Sequence, residues 1–200
     1  QDVILEKDYL EKMIPAMEAD PMVGSAACKL VFCKSENYAI FESTGHLVSI
    51  TRSFFSRGHN ENDGGQYDKK CFVFGVCAAA AVYKRQMLED IKLGEEYFDE
   101  SYHSSLEDID VDWRAKLRGW KCLYVPEAVA THESLHPGLS RVRSFKNRLL
   151  TIIKNEQTIN FLIDSPYIVI YEINNLVYKY LGDPRYLSAI VDVLRKLPEL

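Results

Sequence analysis

The chain holds 200 residues, 47% of them hydrophobic and 12% aromatic, and its 29 acids against 24 bases give a net charge of −5. That much apolar material can bury a core, which excludes a disordered tail, and the acidic balance argues against a general nucleic-acid binder. No apolar run approaches the ~20 residues that span a bilayer, no signal peptide opens the chain, and the length suits one domain or one domain with a small appendage. The five cysteines, at 28, 33, 71, 77 and 122, lack paired spacing, and Cys28-x4-Cys33 has no second half to complete a zinc pattern. They read as buried free thiols in a reducing compartment.

In chain order, Gln1 to Leu5 reads as the end of a strand, and the start inside such an element suggests a fragment of a longer protein. Asp8 and Glu11 have capping-box spacing, and Leu10, Met13, Ile14 and Met17 follow at helical spacing until Asp20-Pro21. Val23 to Val31 fits a buried strand and Phe41 to Ile50 a strand or hairpin, which is the grammar of an α/β domain. Arg57 to Asp68 is a polar, glycine-rich loop, read either as solvated or as a lid. Cys71 to Tyr83 predicts a central strand in which Gly75 and four successive alanines leave room for a close helix or a ligand.

The stretch Tyr102 to Trp120, YHSSLEDIDVDWRAKLRGW, crowds acids at the start of a helix that turns cationic. Negative charge suits a helix N-terminus, yet these acids repel one another more than a cap needs. Ser104 with Glu107 matches a capping box, Leu106, Ile109, Trp113 and Leu117 make one apolar stripe, and Asp110 pairs with Arg114 four residues on. Asp112 and Asp108 have no such partner, which leaves Asp108 as the candidate general base. Lys121 to Val125 predicts a short strand ended by Pro126, followed by an apolar segment ending at His132, a residue type that with aspartate ligates divalent ions. Ser134 to Asn155 carries Arg141, Arg143, Lys146, Arg148 and Lys154 and no acid within the helical pattern from 141 to 154. That basic amphipathic helix could lie on an anionic membrane, hold phosphates or simply be solvated. Asp164-Ser165-Pro166 and Gly182-Asp183-Pro184 punctuate two further helices, near 167–181 and 185–197.

The succession FGVCAAAAVYKRQML, YFDESYHSSLEDIDVDWRAKLRGWKCLYVPEAVATH and RSFKNRLLTIIKN resembles family 2 glycosyltransferases of the GT-A fold, in particular the bacterial rhamnosyltransferase-like branch that builds surface polysaccharides. The resemblance implies a Rossmann-like mixed-sheet α/β fold: a partial GT-A domain over 1–155, on the acceptor side, and a helical appendage over 156–200. DVILEKDYLEKM is similar to the helix after the family's DxD metal motif, so Asp2 would be that motif's last acid. Its first member and the nucleotide-binding half are absent from the chain. Glu107-Asp108 matches the family's ED motif, with Asp108 as base, and His132 matches a further metal ligand, so that Asp2 and His132 would hold Mg²⁺ or Mn²⁺. Gly75, Cys77, Ala78 (glycine in many relatives) and Trp113 are the candidate acceptor-binding residues, though Trp113 and Arg114 are read as holding the helix in place rather than touching substrate. The implied reaction is inverting transfer from a nucleotide-sugar donor, with dTDP-rhamnose the candidate, to a glycan or lipid-linked acceptor. It would occur in the cytoplasm or at the inner membrane face, without nucleic acid, and the isolated stretch would be inactive. A metal-dependent nucleotidyltransferase or hydrolase, or a non-catalytic acceptor-binding fragment, are the competing expectations.

Overall fold

The computed structural model describes residues 3–32, 39–133, 141–175 and 182–197; expectations that fall on Asp2 or Cys33 lie outside these. The chain divides into two compact units, Gln1–Leu47 with Phe54–Asp99 and Asp108–Leu135, and Val48–Ser53 with Glu100–Glu107 and His136–Leu200.

The first unit is built on two long parallel strands, β2 (Val23–Phe32) and β8 (Lys121–His132), registered from Val23 opposite Lys121 to Phe32 opposite His132. Small and β-branched residues let this pair be covered on both faces, as parallel strands are. Antiparallel partners flank it: β1 (Val3–Leu5) and β6 (Cys71–Val73) on β8, β3 (Phe41–Ser43) and β7 (Ala81–Tyr83) on β2. Lys121 to His132 forms one strand where two were expected. The register shifts between the Cys28–Val125 and Lys29–Val129 pairs, which accommodates Pro126 as a bulge rather than a stop. The three extra residues on β8, Pro126 to Ala128, also change the strand's phase. Cys122 and Tyr124 pack with Ala27 and Val76, whereas Ala128 and Ala130 pack with Cys28 and Leu30 on the opposite face.

Helix α1 (Tyr9–Glu18) covers that second face through Tyr9, Met13 and Met17. The expected stripe was rotated: Leu10 and Ile14 are exposed, because the Tyr9 hydroxyl donates to the Ala80 carbonyl at 2.9 Å and fixes the row spaced four apart. Asp8 makes no cap hydrogen bond and pairs instead with Lys12 at 2.6 Å, so the expected capping box does not form. Phe41 to Ile50 divides at Gly45 (φ 110°) into β3 and β4 (His46–Val48), and β4 pairs with β5 (Phe54–Ser56). Helix α2 (Arg85–Ile91) comes so close to β2 that a Cβ on Gly24 would lie 2.4 Å from the Met87 sulfur.

The predicted central strand over 71–83 is broken into β6, a 3-10 turn at Ala78–Ala80 and β7. The reason lies in α3 (Glu107–Leu117), whose acids take the amides a strand would give to its ladder. Asp112 accepts from Val76 N–H at 2.8 Å, and Asp108 accepts from Ala78 N–H at 3.3 Å.

In the second unit, α4 (Arg141–Asn155) packs Leu150 with Tyr102 and Val193, the last from α6 (Arg185–Lys196). The basic face read from the sequence is smaller than expected. Arg148 is buried, donating to the carbonyls of Thr51 (2.7 Å) and Arg52 (2.8 Å) and pairing with Glu172 at 2.5 Å. Asp164-Ser165-Pro166 lies inside α5 (Thr158–Asn175) rather than before it. Arg52 pairs with both Glu156 and Asp164, which secures the stretch where that helix begins. Among the described residues no helix is long and apolar enough to cross a membrane.

Candidate active site

Helix α3 carries the acids, and its start is unusual. His103, Ser105 and Leu106 all have positive φ, at 58°, 79° and 70°, a conformation that costs a non-glycine residue of order 1–3 kcal/mol. The helix opens at Glu107 directly after Leu106, so Ser104 is too far back to cap it; its hydroxyl accepts from Arg143 at 2.9 Å instead. The expected single apolar stripe is replaced by burial on every side from Ile109 to Ala115, while Leu117 is exposed. The charged residues inside this span therefore need dedicated partners. Asp110 takes Arg114, as expected, at 3.0 Å, and the same guanidinium donates to the Ile91 and Tyr97 carbonyls. Asp112, read as unpartnered, is held by Val76 N–H above Gly75, where a Cβ would sit 2.0 Å from its Oδ2. Burial, then the neighbouring Asp108 charge, push the Asp112 carboxyl well above the usual carboxylate range.

Asp108 is half-buried and, among the described residues, takes its hydrogen bonds from backbone: Oδ1 accepts from its neighbour Ile109 N–H at 2.8 Å and Oδ2 from Ala78 N–H. Beside it stand Cys77 and His46, and one donor atom from each of the three lies within 4.8 Å of the others. The backbone explains the meeting. His46 bridges Gly75, with N–H donating to the Gly75 carbonyl at 2.8 Å, so the turn that follows delivers Cys77 and Ala78 to the same place. Burial pushes the Cys77 thiol up to about 12, helped by the charges of Asp108 and Glu42, and pushes the His46 imidazole down.

At the far end of β8, His132 is buried and its Nδ1 lies 2.7 Å from Glu42 Oε2. Pairing of β1 with β8 sets Val3, the neighbour of Asp2 in sequence, opposite His132. The Glu42 and Asp108 carboxylates both act on the Cys77 thiol, which links the two groups electrostatically. A cavity of about 440 Å³ adjoins, lined by Val3, Leu5, Tyr9 and residues 78–82. Of the other sequence-predicted residues, Gly75 faces Asp112, and Trp113 is 9% exposed in edge contact with Phe54 and Phe74. The 57–68 loop is fastened: Lys29 pairs with Asp63 and Asp68, and Arg57 stacks over Tyr67. Sequence reasoning missed His46 and Glu42. Neither sits in a motif, and the register of β3 and the His46–Gly75 bridge is what brings them in.

No family model matches the chain, and no curated protein matches it. Among solved structures it is similar to the crystal structure of GalNAc-T7 with UDP, GalNAc and Mn²⁺, with a TM-score of 0.54 at 10% identity. The match covers 76% of this chain and 30% of that one. At that identity the likeness is one of fold, and the mixed α/β sheet is of the GT-A type expected from the sequence.

Proposed function

We propose that this chain is the acceptor-side portion of an inverting glycosyltransferase that uses a nucleotide-sugar, with dTDP-rhamnose the candidate donor and a glycan or lipid-linked hydroxyl the acceptor. The observation that carries this reading is the placement of Asp108: at the start of α3, half-exposed, and oriented by the Ala78 and Ile109 amides. A carboxylate so held can accept the proton of an acceptor hydroxyl as its oxygen bonds to the anomeric carbon. The anomeric bond to the nucleoside diphosphate breaks on the opposite side, which inverts the configuration. Glu107, one residue earlier, opens the helix and sets the base's position. The solved neighbour's UDP, GalNAc and Mn²⁺ support the donor class and a divalent ion by analogy of fold.

Residues at the end of β8 fit such an ion. A histidine ligand is ordinarily oriented by a carboxylate on one ring nitrogen, and the Glu42 contact at His132 Nδ1 is a partner of that kind. His132, with Asp2 from the sequence motif, would hold Mg²⁺ or Mn²⁺. The bound ion would supply neutralisation of the pyrophosphate leaving group.

The test is Asp108→Asn in the full-length enzyme. Transfer should fall by roughly 10²–10⁴-fold, with nucleotide-sugar affinity retained. Lost nucleotide binding would instead favour the metal-dependent nucleotidyltransferase or hydrolase reading, and full retained transfer would remove Asp108 as base.

A further inference from the structure

Three features at the Asp108 end go unused by that mechanism. His46 is only 7% exposed and its Nδ1 has no hydrogen-bond partner among the described residues. An imidazole nitrogen buried without a partner carries a desolvation cost that a native fold ordinarily avoids. Cys77 is a free thiol, half-buried, preceded by Val76 and followed by alanines, none of which has a side-chain donor atom to compete with it. The third feature is their convergence with Asp108, since one nitrogen, one sulfur and one carboxylate oxygen fall within 4.8 Å of one another.

We propose that His46, Cys77 and Asp108 form a second, inhibitory metal site that takes a thiophilic divalent ion, Zn²⁺ being the type. Nitrogen, sulfur and oxygen ligands from three residues, with a fourth position left to solvent, are a set zinc accepts. A thiolate also selects it over the magnesium or manganese proposed at His132, whose donors are imidazole and carboxylate. Around a tetrahedral zinc the ligand atoms stand about 3.5 Å apart, so the trio needs to draw in by roughly an ångström. Cys77 and Asp108 sit on a turn and at a helix start, where side-chain rotation supplies that movement. The thiol gives up its proton to solvent as the sulfur–metal bond forms, and the imidazole binds in its neutral form. The inhibitory part rests on Asp108 being the base: a carboxylate bound to zinc cannot take the acceptor's proton.

Zinc binding is measured on this chain by competition with a chromophoric chelator, and Co²⁺ is used as a spectroscopic substitute. One sulfur-ligated ion per chain is expected, with a sulfur-to-cobalt charge-transfer band, and its affinity should weaken by about tenfold or more in Cys77→Ser and in His46→Ala. Cys71→Ser, a free thiol elsewhere, should leave both unchanged. Absence of stoichiometric binding, or a wild-type cobalt spectrum without the sulfur band, overturns the site even if a variant fails to fold. In the full-length enzyme, zinc should inhibit transfer at the concentration at which it binds. Binding without inhibition keeps the site and overturns the role of Asp108, which separates failure of this inference from failure of the functional reading.

Discussion

At the residue scale, Gly75 has the closest approach of any described glycine. With a Cβ built 2.0 Å from Asp112 Oδ2, Gly75→Ala should cost about 2–3 kcal/mol, read as a lowered denaturation midpoint; a change under roughly 0.5 kcal/mol would show that Asp112 is free to swing away. Asp112 itself has a pH signature. Its folded-state affinity for the proton is raised, so the folded chain binds more protons than the unfolded one between the ordinary carboxylate value near 3.9 and the raised one. Stability is fullest below that ordinary value and declines as pH rises through the window. Asp112→Asn keeps an acceptor for Val76 N–H and removes the titration. Its stability should therefore gain on the wild type with rising pH above about 4, by up to ~1.4 kcal/mol per unit. Parallel pH profiles for the two proteins would dismiss the idea that burial of this acid is costly.

At the scale of elements, Arg148 shows how a sequence pattern can mislead. Five cations without an acid on one helical stretch read as a basic surface, yet one of them is a buried bolt joining the Thr51–Arg52 backbone to Glu172. Its planar fork spans two carbonyls and a carboxylate, a task an ammonium cannot copy. Arg148→Lys should then destabilise the helical unit by about 1.5–3 kcal/mol, visible as an earlier helical melt by circular dichroism, whereas Arg141→Lys on the exposed first turn should leave it unchanged. The features that were legible were those set by local chemistry: the β2 strand and the Asp110–Arg114 pair. Those that were not depended on distant partners. The 71–83 strand fails because α3 claims its amides, and the Pro126 stop is absorbed because β8 bulges where it pairs with β2. Asp108 was singled out as a candidate by elimination on one helix. His46 and Glu42 are placed by the strands that carry them, which spacing along the chain does not encode.

For the whole molecule, the fold class was legible because the order of apolar segments and punctuation follows α/β grammar, and the similarity in fold to a solved glycosyltransferase agrees. The division of the chain was less so. The second unit recruits two short segments from early in the sequence, Val48–Ser53 and Glu100–Glu107, in addition to the C-terminal helices. No composition shift marks either piece, since each is retained by hydrogen bonds from α4: Arg148 to the first, Asn147 to the Tyr102, Ser104 and Ser105 carbonyls of the second.

The parallel pairing of β2 with β8 also carries a cost in time. Nearly half of the chain separates the two strands, and each of the four short antiparallel strands in their sheet leans on one of them. Contacts so remote in sequence demand a large closure of the chain before they reward it, which slows folding. During synthesis β2 leaves the ribosome as a buried-type strand with its principal partner still unmade. Until Lys121–His132 emerges, its apolar face is open to the wrong neighbour, and the first unit has to wait for its last strand.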